Sequence, residues 1–266
     1  MGKVYVPVIL VLCAVSFCVN AQSPYQLNWK KELGISSASA LIWGTSLAIS
    51  KSVNEIPPET LAALDQGSVN AFDRWVINRR SQTSQVVSDY VLYTAYALPV
   101  LYLTTPSTRR DFGTIAVLYG ETMAITAGLT LFAKVTTKRF RPLTYNTDLD
   151  LTTRLNTNNR FSFFSGHVSE TAASCFFMAK VFSDYFPDSP ARPYIWTAAV
   201  AIPMTNAWLR MNAGKHFPTD VLAGFTIGAA TGFLVPHFHK KKSKKPEGNS
   251  LTIAPIPGGA FLSYRF

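Results

Sequence analysis

The chain has 266 residues, 48% of them hydrophobic and 15% charged, with 25 Lys+Arg against 15 Asp+Glu. So low a charged fraction excludes a disordered protein, and the length provides for one large domain with a substantial core. The net charge of +10 points to phosphate groups, polyanions or an anionic membrane surface, and the placement of the charges decides among them.

The first residues have the layout of an export signal. Lys3 precedes an apolar run over 4–19, and Val19-Asn20-Ala21 supplies small residues ahead of Gln22. Residues 1–21 are read as a signal peptide cut after Ala21, or else as an uncleaved first helix. Cys13 and Cys18 fall in this segment and leave Cys175 alone, so no internal disulfide forms in the processed chain and no CxxC metal pattern exists.

Uncharged or nearly uncharged stretches then recur at 33–50, 90–108, 112–133, 194–209 and 221–239, near the ~20 residues that span hydrocarbon as a helix. A further helical pattern at 168–186 carries Glu170, Lys180 and Asp184. The expected fold is all-α, a membrane-embedded bundle of about six helices with its active site at one end. It occupies residues 22–239, and 240–266 form a basic cytoplasmic tail. Small residues repeat at every fourth position in two helices, as Gly120, Ala124, Gly128 and as Gly224, Gly228, Gly232. Such stripes let helix backbones approach closely in lipid.

The chemistry gathers in three segments: 134–142, 162–167 and 210–220. If helices alternate in direction, the end of the third, the start of the fourth and the connection from the fifth to the sixth share one face. Lys134, Arg141 and Arg210 then supply positive charge, and the arginine fork matches phosphate oxygens. Ser165 and Gly166 open a helix whose N–H groups suit an anion. His167 and His216 divide nucleophile and general-acid roles, and Asp220 stands one helical turn beyond His216, where it could reach the ring and fix its tautomer. Individually each of these residues reads as an ordinary solvated or packed side chain. His237 and His239, beside the lysines, read as membrane-edge residues. Lys138 and Arg139 have no fixed role, Arg74, Arg79 and Arg80 form a small basic patch, and Glu121 pairs inside the bundle.

Lys134-x6-Arg141-Pro142, Ser165-Gly166-His167 and Arg210-x5-His216-x3-Asp220 resemble the three-part signature of the type 2 phosphatidic acid phosphatase superfamily. The resemblance implies a membrane lipid phosphatase that hydrolyses a phosphate monoester or pyrophosphate through a phosphohistidine. His216 would be the nucleophile, Asp220 its orienting residue and His167 the acid and base. Lys134, Arg141, Ser165, Gly166 and Arg210 would hold the phosphoryl oxygens. It implies no cofactor, no metal and no nucleic acid, with a lipid phosphate and the membrane as partners. The family's branches leave a soluble periplasmic acid phosphatase, a vanadium haloperoxidase and a non-catalytic lipid-phosphate binder as alternatives. Phe164 replaces the proline usual before Ser-Gly-His, and Leu209 the serine usual before the third-motif arginine.

Lys240, Lys241, Lys242, Lys244 and Lys245 follow the last apolar helix, which places the tail in the cytoplasm of a bacterial-type inner membrane and the site outside. On that topology the 33–50 helix lies along the interface and five helices cross. Residues 251–266 read as a hairpin about Pro257-Gly258-Gly259, or as a disordered tail.

Overall fold

The computed structural model describes residues 23–241 and the backbone of two strands in the tail. The leader at 1–21 lies outside the described residues. Six long helices carry the architecture, as the apolar periodicity predicts. Helix α1 (Trp29–Ser50) begins where the Asn28 side chain accepts from the Lys30 N–H. Short helices α2 (Pro58–Ala62) and α3 (Ala71–Arg74) lead to α4 (Gln82–Ala97), capped by Ser81. After α5 (Pro106–Arg110) comes α6 (Phe112–Thr137), then α7 (Pro142–Tyr145) and α8 (Leu151–Leu155). Helices α9 (Gly166–Tyr185), α10 (Arg192–Asn212) and α11 (Pro218–His239) complete the bundle. The tail holds an antiparallel hairpin of β1 (Ser250–Ile256) and β2 (Gly259–Arg265), in register from Ser250↔Arg265 to Ile256↔Gly259.

Among the described residues, four segments are long and apolar enough to cross a membrane: Trp29–Ser50, Gln82–Leu103, Phe112–Tyr145 and Pro218–His239. Helices α9 and α10 do not qualify, so fewer helices than the expected six are apolar enough to span. The reason for α9 is its position. It packs against α4, α6, α10 and α11, so its polar side chains meet protein rather than lipid. Lys180 pairs with Asp184, Ser169 with Thr130, and Thr171 with Asn206. Helix α10 carries Arg192, Asn206 and Arg210, and Pro203 interrupts it.

The expected interfacial position of the first helix also changes. Helix α1 lies lengthwise on α6, and the Trp43 indole donates to the Ala124 carbonyl at 3.0 Å. Its start meets the end of α11, where Lys31 donates to Phe238 O at 2.7 Å; its far end carries Leu47 into the site cavity. It therefore runs the length of the bundle. The segment before it is tied to the same end: Gln26 N–H donates to His239 O, Lys241 N–H to Pro24 O, and the Tyr25 hydroxyl to Asp184 at 2.7 Å.

Both small-residue stripes lie in helix contacts. A β-carbon placed on Gly224, Gly228 or Gly232 would fall 2.7, 2.0 and 2.3 Å from the backbone carbonyls of Ser165, Ser169 and Ala173. Helix α11 thus rests backbone to backbone on α9, in the most extensive contact of the bundle. On α6, Gly128 faces the Trp43 indole.

An exposed helical Gly→Ala substitution stabilises by about 1 kcal/mol. Gly228→Ala is expected to do the reverse, lowering stability by roughly 1–3 kcal/mol because α9 is backbone at that point and must shift. Thermal unfolding in detergent checks this, and a raised midpoint would contradict the packing described.

Candidate active site

The three motif segments meet at one end of the bundle. A cavity of about 610 Å³ is lined there by Lys134, Arg141, Gly166, His167, Arg210 and His216. Each is delivered by a helix end. Lys134 occupies the last turn of α6, which stops where Lys138 adopts a left-handed conformation. Arg141 precedes α7, its N–H held by Asn159 O at 2.8 Å. Gly166 and His167 open α9 behind Ser165, whose N–H donates to Asp220 O at 3.1 Å. Arg210 ends α10, and Gly214, at φ 67°, turns the chain toward His216 and α11.

The cationic wall is only partly satisfied. Lys134 Nζ donates to Phe161 O at 2.7 Å, and Arg210 Nη1 to Ser88 Oγ at 3.1 Å. Arg141 Nε, Arg210 Nε and Ser165 Oγ are buried without a hydrogen-bond partner among the described residues. Buried donors left in this state call for an acceptor, and an oxyanion supplies several at once.

His216 is buried, and its Nδ1 lies 2.8 Å from Ser162 O. A carbonyl only accepts, so Nδ1 carries the proton and Nε2 keeps its lone pair. Burial, reinforced by Lys134, Arg141 and Arg210, holds His216 well below the usual imidazole range and keeps it neutral.

Asp220 comes within 3.8 Å of this ring, Oδ2 to Nδ1, without a direct hydrogen bond to it. That oxygen accepts instead from Ser162 Oγ at 2.6 Å and from Phe217 N–H at 2.8 Å. Asp220 therefore caps the first turn of α11 and positions the ring through Ser162. Arg139, to which the sequence assigns no fixed role, binds Asp220 and, at 2.7 Å, Asp73. Asp73 also accepts from Thr219 N–H and Oγ1, which ties α3 to the start of α11. Arg74 turns back onto the carbonyls of Gly67 and Val69 and contributes no free basic surface.

His167 has a partner that motif reading misses. Its Nε2 lies 2.6 Å from Asp89 Oδ1, and Arg210 Nη1 is 3.6 Å from the same oxygen. Burial and Arg210 push His167 down to about 4, while Asp89 pulls the other way. The available signal was position: Asp89 is the acid just before the uncharged 90–108 stretch.

The rest of the cavity is apolar, walled by Trp43 and Leu47 of α1, Leu92 of α4, and Ala127 and Leu131 of α6. Tyr96 and Glu170, hydrogen-bonded to each other, also line it. The family model described as the PAP2 superfamily matches residues 115–244, a span that contains all three motifs. Residues 115–244 belong to the PAP2 superfamily. Among solved structures, the chain is similar to the transmembrane PAP2-type phosphatidylglycerolphosphate phosphatase from Bacillus subtilis. Sequence identity is 20% and the TM-score 0.47, over 77% of this chain and 98% of that one. Comparison with curated proteins finds no match.

Removing the Asp89 charge lowers the proton affinity of His167, and each unit of that shift makes the imidazolium about tenfold scarcer above its pKa. Asp89→Asn should move the alkaline limb of the kcat profile to lower pH. An unmoved limb with a lower KM would instead mark Asp89 as a competitor for the phosphate position.

Proposed function

We propose that this PAP2 protein is a multi-pass membrane phosphatase that hydrolyses a lipid phosphate monoester or pyrophosphate through a phosphohistidine on His216, without a catalytic metal ion. The observation that carries the reading is the His216 tautomer. A buried, neutral ring whose Nδ1–H is held by Ser162 O presents Nε2 as a nucleophile beside a cationic cradle.

The chemistry follows from the placed groups. Nε2 attacks phosphorus, and the bond to the leaving oxygen breaks as that oxygen takes a proton from His167. The incoming phosphate adds negative charge beside His167 and Arg210, which favours the imidazolium that this step needs. Lys134, Arg141, Ser165, the Gly166 N–H and Arg210 hold the equatorial oxygens as charge develops. Water then attacks phosphorus as the P–N bond breaks and its electron pair returns to His216 Nε2; His167 takes the water's proton, and inorganic phosphate leaves. Three cations already compensate the charge that a divalent ion would otherwise balance.

The apolar half of the cavity supports a lipid substrate over a soluble ester. Its wall is built from α1, α4 and α6, all contributing membrane-length segments. Phosphatidic acid, phosphatidylglycerol phosphate, undecaprenyl pyrophosphate and lipid A phosphate form the substrate panel. His216→Ala should reduce phosphate release from the solubilised protein by about 10³-fold or more and abolish an alkali-stable, acid-labile protein-bound phosphate trapped by rapid alkaline quench. Full residual turnover would overturn the mechanism.

The lysine tail retains its cytoplasmic assignment, which sets the site on the exterior. Because α1 starts at the lysine end and runs to the site end, an exterior site goes with a retained leader, and leader cleavage goes with a cytoplasmic site. A tag placed after Phe266 should be protected from protease in intact spheroplasts; digestion there would reverse the orientation.

A further inference from the structure

At the end of the bundle away from the phosphate cradle, Glu32 of α1, Glu121 of α6 and His239 of α11 converge. One ligand atom from each lies within 4.8 Å of the others. His239 Nε2 is 3.1 Å from Glu32 Oε2 and 3.6 Å from Glu121 Oε2. Two ligands of a tetrahedral ion bound at about 2.0 Å sit about 3.3 Å apart, a value that the two His239 distances bracket.

Groups outside the cluster engage only its outer atoms, while inside it His239 Nε2 and Glu32 Oε2 lie within hydrogen-bond distance of each other. His239 Nδ1 donates to Val235 O at 2.7 Å, so Nε2 bears the lone pair, the arrangement that orients metal-bound histidines. Glu32 uses Oε1 to accept the Asn28 N–H at 2.8 Å and turns Oε2 inward. Glu121 is 4% exposed, and its Oε2 is buried, aimed at His239, and without a hydrogen-bond partner among the described residues. The neighbouring ammonium groups are committed elsewhere, Lys31 to Phe238 O and Lys240 to Asp184. Two carboxylates and an imidazole therefore face one another at the end of a lipid-embedded bundle, where an uncompensated charge is costly.

We propose that Glu32, Glu121 and His239 bind one zinc-type divalent ion. One imidazole and two carboxylates match zinc in donor type, and the two negative charges balance the ion. A water would complete the tetrahedron through the half-buried Glu32 side. The ion's role is structural. It lies about 20 Å along α6 from Lys134, at 1.5 Å per residue, and it pins α1, which carries Trp43 and Leu47 of the cavity wall, to α6 and α11.

The test uses the tag-free, full-length protein in detergent, stripped with a chelator, equilibrated with buffered micromolar zinc, and desalted for metal analysis. Wild type should retain about one zinc per chain and gain thermal stability on loading. Glu121→Gln and His239→Gln should each weaken binding by about 100-fold or more, while His237→Gln, whose ring stacks on Phe233, should not. Glu32→Gln at the more exposed position serves if the buried variants do not fold. Wild type holding no more zinc than His239→Gln, with no stabilisation by the ion, would overturn the proposal and leave the carboxylates sharing a proton. Zinc content is read without reference to phosphate release. Loss of zinc binding and loss of the His216 mechanism are therefore separate results.

Discussion

Backbone against backbone, α11 lies on α9 at a distance that only glycine permits, and the rest of the site depends on that approach. The carbonyls of Ser165, Ser169 and Ala173 occupy the space where side chains on Gly224, Gly228 and Gly232 would be. At the site end the same closeness allows Ser165 N–H to reach Asp220 O and brings the opening of α9 beside the opening of α11. His167 and His216 belong to those two helix starts. Their separation in space is a property of the glycine seam before it is a property of either histidine.

The seam also determines how charge is handled. Burial, together with the charges of Lys134, Arg141 and Arg210, disfavours a further positive charge on the His216 ring. On the proposed mechanism, that neutral ring would serve as nucleophile without a dedicated base. The carboxylates nearby act at one remove. Asp220 works on Ser162 and the helix terminus, and Arg139 with Asp73 fixes Asp220 in turn. The acid partner of His167 comes from α4, a helix outside the motifs altogether.

Much of this was legible in the residues. The apolar runs predict the six long helices, alternation of direction predicts that 134–142, 162–167 and 210–220 converge, and the four-residue spacing of glycines predicts the backbone seam of α11 on α9, whereas on α6 Gly128 meets the Trp43 side chain instead. What could not be read depends on contacts between distant segments. Whether the His216 ring takes a carboxylate or a carbonyl is decided by the path of the 161–165 backbone, which no spacing rule encodes. Asp89 and Asp73 each lie far along the chain from the histidine or arginine they meet. His239 looks like a membrane-edge residue beside lysines, yet it is buried because the 23–28 segment and Glu32 fold over it. Counting runs also overestimates how many helices are apolar enough to span, because α9 is shielded by its neighbours and can carry Lys180 and Asp184 inside the bundle.

The wall of α1 and α4 on the cavity has a kinetic meaning. On the proposed membrane placement, Leu47 and Leu92 at its boundary would open the site toward hydrocarbon rather than bulk water on that side. For such an enzyme the concentration that governs saturation is a mole fraction in the surface phase. Diluting the substrate with detergent at constant total amount then slows the reaction, although every phosphate-binding group is unchanged.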